Sequence, residues 1–115
     1  MPEMITQNFE REAFTCKCGC GFMNINPFLV HRLQVIRDIV DLPIIVLSGC
    51  RCAKHNQEVG GEPNSQHLIG NASDWFIEDY SMKHIALMIT KWSGGFHFYQ
   101  EHNFIHTDIG PERRW

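Results

Sequence analysis

The chain has 115 residues, with 10 Lys and Arg against 13 Asp and Glu, so its net charge is −3 when the histidines are neutral. This length fits a single domain over residues 1–115, and 43% apolar residues are enough to build a core. The acidic balance argues against a nucleic-acid partner, which needs a basic face. The longest near-apolar stretch, Leu42 to Gly49, is far shorter than the roughly 20 residues of a membrane span. Seven His and five Cys in so short a chain point instead to a metal.

The first part of the chain predicts an irregular arm followed by a helix. Residues 1–23 form this N-terminal arm, which carries a cysteine cluster and lacks the apolar segment of a signal peptide. Asn26-Pro27 combines a capping residue with proline at the first helical position and predicts a helix to about Val40. Apolar residues recur at helical spacing from Leu29 onward, so one face of this helix is expected to pack on the core.

The rest of the chain predicts strands that are mostly separated by helices, with a hairpin at the end. Strands are expected at 43–48, 72–77, 96–99 and 104–109, a short helix at 53–59, and a second amphipathic helix between Ser81 and Gly94-Gly95. The polar turn 100–103 joins the last two strands. This order indicates an α+β fold in which helices pack on a small, mostly antiparallel sheet.

The five cysteines fall into two groups, Cys16, Cys18 and Cys20 in TCKCGCG, and Cys50 and Cys52 in GCRC. The first spacing is not that of a zinc ribbon or finger, so a structural zinc site with four cysteine ligands is the weaker interpretation. One disulfide or close thiol contact between the groups, or unpaired buried thiols, are the alternatives. A dithiol redox protein is disfavoured because Cys-x-x-Cys is missing. We expect the cysteines to brace the arm against the turn between Cys50 and Cys52.

Two segments combine imidazole and carboxylate side chains. His67 and Asp74 lie seven residues apart across a loop-to-strand junction, and His106 and Asp108 share one face of a later strand because side chains alternate. If the two strands lie side by side, His67, Asp74 and His106 converge. Any one of these residues alone would more often be an ordinary surface or core residue. Together, two imidazoles and a carboxylate with a position left for water are typical of a catalytic zinc site.

These residues also carry a resemblance to a known family. The motif Ser-x-His-x-x-Gly-x-Ala-x-Asp is complete, at Ser65, His67, Gly70, Ala72 and Asp74. It resembles the signature of the zinc D-Ala-D-Ala carboxypeptidases and endopeptidases, peptidoglycan peptidases related to hedgehog-like domains. The stretches SGCRCAKHNQEVGGEPNSQH and GGFHFY…FIHTDIGPERRW are similar to that family's flanking motifs, and TCKCGCG to its small, often phage-encoded branch. The resemblance extends from about Phe14 to Trp115.

The resemblance implies a hedgehog/D-Ala-D-Ala-peptidase-like fold with one Zn²⁺ held by His67, Asp74 and His106. It places Arg51 beside the scissile carbonyl or the substrate carboxylate, where a guanidinium can stabilise a developing oxyanion. Zinc would polarise the carbonyl and lower the pKa of its water. On the substrate side of the site, the residues expected to orient ligands or substrate are Ser65, Gln66, His97 and Tyr99.

The general base is less clearly marked. Many relatives carry Glu three residues before the third ligand, but this chain has Asn103 there, which cannot take a proton. We predict Asp108 as the base because it shares a strand face with His106, with Glu101 and His97 as rivals. His97 and Cys50 also replace the family's usual glycine and tyrosine, which affects the expected substrate preference.

The leading hypothesis is therefore a zinc metallopeptidase that hydrolyses an amide bond in peptidoglycan stem peptides, as a D-Ala-D-Ala carboxypeptidase or as an endopeptidase. The alternative is a zinc-stabilised structural or binding module of low or no activity, such as a phage virion component, and Asn103 is its best support. The expected partner is the peptidoglycan peptide, with no membrane partner. A monomer and delivery by a phage, as an endolysin, are further expectations.

Overall fold

One five-stranded sheet organises residues 2–115, the part of the chain that this computed structural model describes. Its strands are β1 (Ile45–Ser48), β2 (Ala72–Phe76), β3 (Gly95–Tyr99), β4 (Phe104–Asp108) and β5 (Arg113–Arg114). Their spatial order is β1-β2-β4-β3-β5, and every neighbouring pair is antiparallel except β3 and β5. Three helices accompany the sheet, α1 (Pro27–Val40), α2 (Ala53–Glu58) and α3 (Met82–Met88). The predicted α+β class with a mostly antiparallel sheet is confirmed.

Helix α1 begins where the sequence predicts. The Asn26 side chain accepts a hydrogen bond from the Phe28 N–H at 3.0 Å, and proline occupies the first helical position, where no N–H is needed. Its buried face carries Leu29, Val30, Leu33 and Ile36. Among residues 2–115, no helix has both the length and the apolar character that crossing a bilayer requires.

The arm before α1 is irregular, as expected, although Met1 lies outside the described residues. It contains a short 3₁₀ helix, Arg11–Phe14, and an isolated bridge between Met4 and Glu10. Phe14 is fully buried in the core, and its carbonyl accepts the Cys50 N–H at 2.9 Å. The arm is therefore packed against the segment that follows β1.

Helix α3 differs from its prediction at both ends. The Ser81 side chain makes no capping hydrogen bond, and instead Asn103 Oδ1 accepts the Met82 N–H at 3.0 Å. The helix ends at Met88 rather than continuing through Trp92. The Trp92 ring is buried, and its Nε1–H donates to the Asp108 carbonyl at 2.8 Å. Trp92 lies in a separate turn after the helix, from which its side chain can reach that carbonyl. The predicted helix is therefore too long.

The sheet separates the apolar core from a polar face. Trp75 and Ile105 lie opposite each other in β2 and β4, are fully buried, and belong to the core with residues of the helices. Asp74 and His106 form the next pair in register. Because side chains alternate along a strand, this pair points to the other side of the sheet.

A buried hydrogen bond across β2 and β4 gives a test of this packing. Trp75 Nε1–H donates to Thr107 Oγ1 at 3.0 Å, and both side chains are fully buried. Thr107→Val keeps the shape but leaves the indole N–H without an acceptor, so we expect a loss of about 1–3 kcal/mol in the free energy of unfolding. Urea unfolding measures it.

The matched control is Trp75→Phe, alone and combined with Thr107→Val. Since the donor is then already absent, Thr107→Val should cost less in the Trp75→Phe background than in the native chain. Equal costs in the two backgrounds would mean that the hydrogen bond contributes nothing to stability.

Candidate metal centre

Three side chains meet on the polar face of the sheet. Asp74 Oδ1 lies 2.8 Å from His106 Nδ1 and 3.4 Å from His67 Nε2. The exposed fractions of His67, Asp74 and His106 are only 2%, 9% and 6%. Their donor atoms lie within 4.8 Å of one another, so the structure brings together the three residues predicted as zinc ligands.

His67 presents a defined nitrogen to this centre. It lies in a short 3₁₀ helix, Gln66–Ile69, whose preceding residue, Ser65, accepts the His67 N–H through its hydroxyl oxygen at 3.2 Å. The ring Nδ1 is 2.7 Å from the carbonyl oxygen of Gly49. A carbonyl only accepts hydrogen bonds, so Nδ1 carries a proton, and Nε2 is the nitrogen that faces Asp74 and would bind a metal once it is deprotonated.

His106 is held from its other side by Asp108. The ring Nε2 is 2.8 Å from Asp108 Oδ2, while Nδ1 faces Asp74. Asp108 Oδ1 accepts the N–H groups of Gly95 and Gly110 at 2.9 and 3.0 Å, and Arg113 donates to Oδ2 at 3.3 Å. The Asp108 side chain is therefore surrounded by four donors and is only 1% exposed.

Hydrogen bonds set the charges of these groups. Burial by itself raises the pKa of Asp74, but the hydrogen bonds from His106 and His67 outweigh it and hold that pKa well below its usual value. The pKa of Asp108 is lowered in the same way, against burial, by His106 and the Gly95 N–H. Burial lowers the pKa of His106, but Asp108 and Asp74 raise it overall. The centre thus favours ionised Asp74 and Asp108 carboxylates and the charged form of the His106 imidazole when no metal is bound.

Arg51 approaches the centre from the turn after β1. Its Nη2 is 3.5 Å from Asp74 Oδ2, and its Nη1 donates to Asn56 Oδ1 at 3.1 Å. Nε donates to Ser48 Oγ at 3.4 Å, and the Arg51 backbone N–H donates to the His67 carbonyl at 3.1 Å. These contacts fix a positive charge beside the Asp74 carboxylate.

The centre opens into a cleft of about 740 Å³. Of the predicted substrate-side residues, Ser65, Gln66 and Tyr99 line this cleft. Glu101 and His97 line a neighbouring pocket at the β3–β4 hairpin instead. Burial and the charge of Asp74 raise the pKa of Tyr99, so its phenol keeps its proton.

The last residues of the chain also line the cleft, which no sequence pattern predicted. β5 pairs with β3 in parallel, and this pairing brings Arg113 and Trp115 over the site. The Trp115 ring stacks on His97, with 5.0 Å between centroids, and meets His106 edge-on at 5.3 Å. The Arg113 guanidinium lies 4.0 Å from the centre of the Trp115 ring. A two-residue strand carries no periodic signal, and only the ERRW ending pointed to this segment.

The donor set fits a zinc ion. Two imidazole nitrogens and one carboxylate oxygen are ligands that zinc takes in catalytic sites, where three protein ligands leave a position for water or substrate. The Gly49 carbonyl holds the His67 ring with Nε2 towards Asp74, and the lowered pKa of Asp74 keeps that carboxylate ionised. Partners on the second nitrogen of each imidazole, Gly49 O and Asp108, are the usual supports of such ligands.

The His106–Asp108 pair predicts a pH window of stability for the protein kept free of metal by a chelator. Because the pKa of His106 is raised on folding, its contribution is present below the unfolded value and is lost as the pH rises through the folded one. Because the pKa of Asp108 is lowered, its contribution is present above the unfolded value and is lost as the pH falls. Both are present between about pH 4 and pH 6.5.

The measurement is urea unfolding of the native chain and of Asp108→Asn across this range. The difference in free energy of unfolding should be largest inside the window and smaller on both sides. Asp79→Asn, a change at an exposed carboxylate, is the control and should show no such window. A difference independent of pH would contradict the ion pair.

A family model and curated proteins are similar to this chain. The family model of peptidase M15 matches residues 7–108. Over 100 residues the chain is 30% identical to peptidoglycan L,D-endopeptidase MepK of Escherichia coli (strain K12), covering 80% of this chain and 55% of that protein. It is 31% identical over 91 residues to probable peptidoglycan L,D-endopeptidase MepK of Haemophilus influenzae, covering 74% and 49%. The chain thus spans about half the length of these curated relatives.

The family match covers the cysteine cluster, the turn with Arg51 and all three predicted metal ligands. It includes the complete Ser-x-His-x-x-Gly-x-Ala-x-Asp motif and ends at Asp108, inside the last similar stretch, and the resemblance to zinc peptidoglycan peptidases is confirmed. The chain belongs to the peptidase M15 family.

Proposed function

We propose that this chain is a zinc-dependent peptidase that hydrolyses an amide bond in the peptide part of peptidoglycan. The observation that carries the proposal is the convergence of His67, Asp74 and His106 in an open cleft, beside the fixed charge of Arg51. Membership of a peptidase family supports the reaction, and the names of the curated relatives support the substrate.

His67 Nε2, His106 Nδ1 and the Asp74 carboxylate would hold the zinc. When bound, zinc supplies a Lewis acid that polarises a peptide carbonyl and lowers the pKa of a water molecule towards neutrality. The protein orients its ligands in advance, because Gly49 O and Asp108 each hold an imidazole by its other nitrogen. Because these side chains are already oriented, they would not need to reorganise when substrate binds.

Arg51 would stabilise negative charge on the substrate. Its side chain is 14% exposed and is held by Asn56, Ser48 and Asp74, so the guanidinium keeps its place while substrate binds. Such a fixed cation suits the oxyanion that develops during attack on an amide, or a carboxylate of the stem peptide.

We favour an endopeptidase over a carboxypeptidase, and within that an enzyme for an L,D peptide bond. The curated relatives carry that activity in their names. The cleft of about 740 Å³ lies in the size range of ligand pockets, and it would take a peptide in either case. Ser65, Gln66 and Tyr99 line it and would contact the peptide.

The role of Asp108 as general base stays a prediction. The hydrogen bonds around its carboxylate favour another role, that of positioning His106. Its carboxylate accepts from four donors, including His106, and leaves little room for a proton from water. Asn103, at the position where relatives carry Glu, uses its side chain to accept from the Met82 N–H and to donate to the Tyr80 carbonyl. We therefore propose Asp108 as a positioning residue for His106. Glu112 and Glu62 also line the cleft and join Glu101 and His97 as candidates for the base.

The direct test of the function is mass spectrometry of purified muropeptides incubated with the zinc-loaded chain. We expect a cut at an L,D bond within the stem peptide or cross-link, and no product from His67→Ala. His31→Ala, a change of an exposed histidine on α1, is the control and should keep full activity. Loss of terminal D-Ala alone would show a carboxypeptidase. No product at all from a chain that binds zinc would favour the structural or binding module, to which the side-chain contacts of Asn103 already lend support.

A second test separates the two roles of Asp108. If Asp108 positions His106, Asp108→Asn should weaken zinc binding about 10- to 100-fold, and excess zinc should restore much of the activity. If Asp108 is the base, zinc affinity should stay and kcat should fall without rescue by zinc. Competition with a chromogenic chelator measures the affinity, and Asp38→Asn at an exposed site of α1 is the matched control.

A further inference from the structure

Four of the five cysteines lie close together, and the proposed reaction uses none of them. The sulfur atoms of Cys16, Cys18 and Cys52 are separated by 3.5, 3.7 and 3.8 Å, and Cys20 completes a group whose sulfurs all lie within 4.8 Å of one another. The fifth, Cys50, is buried elsewhere, with its sulfur 3.7 Å from Met23 Sδ. The two cysteine groups of the sequence therefore meet, but through one member only of the second group.

The loop TCKCGCG is shaped to aim three thiols inward. Gly19 and Gly21 have φ of +87° and +85°, in the left-handed region that residues with a side chain rarely adopt. The Cys16 carbonyl accepts the Gly19 N–H at 3.4 Å, and the Cys16 N–H donates to the Phe22 carbonyl at 2.9 Å, which closes the loop. A glycine after each of the second and third cysteines thus lets the chain wind around the sulfur cluster.

Backbone N–H groups point at three of the four sulfurs. Cys16 Sγ accepts from the Cys52 N–H, Cys20 Sγ from the Phe22 N–H and Cys52 Sγ from the His55 N–H, each at 3.4 Å. Such donors stabilise the negative charge of thiolates, and metal-bound ligands are commonly supported in this way.

The spacing of the sulfurs matches metal binding rather than a disulfide. A disulfide places two sulfurs about 2.05 Å apart, and no disulfide is present among residues 2–115. In a tetrahedral site with Zn–S bonds of about 2.3 Å, neighbouring sulfurs are about 3.8 Å apart. The three separations of 3.5, 3.7 and 3.8 Å agree with that edge.

We propose that Cys16, Cys18, Cys20 and Cys52 form a second metal site, a closed tetrathiolate site that holds one zinc ion. Four protein ligands leave no position for water, so the ion is structural. The site ties the N-terminal arm to the turn that carries Arg51, since Cys52 is the next residue in the chain. From the spacing of the cysteines alone, a zinc site with four cysteine ligands was the weaker interpretation, and the positions of the sulfurs now favour it. The proposal does not rest on the proposed function.

Cobalt substitution tests the site on the full-length chain. Co²⁺ added to reduced, metal-free protein should produce the intense near-ultraviolet absorption that arises from charge transfer between thiolate and cobalt. The double variant Cys18→Ser/Cys20→Ser, at two exposed positions, should lose this absorption. Cys50→Ser should keep it, and so should His67→Ala, which removes only the other site.

Metal counting distinguishes this site from the catalytic one. Zinc per chain should fall by about one in the cysteine double variant and, independently, by about one in His67→Ala. If the double variant does not fold, the native chain still gives the answer. An organomercurial that modifies thiols should release one zinc, detected by a chromogenic chelator, as the four clustered cysteines react.

Three results would overturn the proposal: no thiolate-to-cobalt absorption in the reduced native chain, absorption that survives in a folded double variant, or no zinc released by the organomercurial. Failure of the proposed function looks different. It would show as muropeptides left uncut by the zinc-loaded chain, or as a zinc count unchanged in His67→Ala, while the cysteine-dependent absorption and the zinc released by the organomercurial persist.

Discussion

The register between β2 and β4 is the constraint on which the site depends. It sets Asp74 directly opposite His106, with the Trp75–Ile105 pair next to it on the core side. A slip of β2 by one residue would turn Asp74 into the core and Trp75 into the cleft, at the cost of a buried charge and an exposed indole. The apolar core therefore specifies the candidate metal centre, because the same alternation that buries Trp75 presents Asp74 on the opposite face.

Around this pair, the two imidazoles of the candidate centre are held by groups at the ends of two different strands. Gly49 at the end of β1 orients His67, and Asp108 at the end of β4 orients His106. The Asp108 carboxylate is itself held by the N–H groups of Gly95 and Gly110. Groups in four loops and strand ends thus set the geometry of the candidate centre. Substitutions at residues that would not touch a metal are therefore expected to change the affinity of the site for zinc.

Much of this arrangement was predictable from local patterns. The cap and proline at Asn26-Pro27 set the start of α1, and alternation in FIHTD set the shared face of His106 and Asp108. The features that the sequence did not predict depend on contacts between residues that are distant in sequence. Asn103 caps α3 from a hairpin 21 residues away, and Trp115 reaches His97 only because two residues pair with β3. The spacing of the cysteines likewise did not predict the cluster, because its fourth thiol, Cys52, lies 36 residues after Cys16 in another segment.

Anomalous diffraction at the zinc edge, from crystals of the zinc-loaded chain, tests the central assignment most directly. The predicted result is a peak bonded to His67 Nε2, the Asp74 carboxylate and His106 Nδ1, at about 2.0–2.2 Å from each, with Asp108 still on His106 Nε2. A peak bonded to His106 through Nε2, or no peak between these three side chains, would contradict the site on which the proposed peptidase rests.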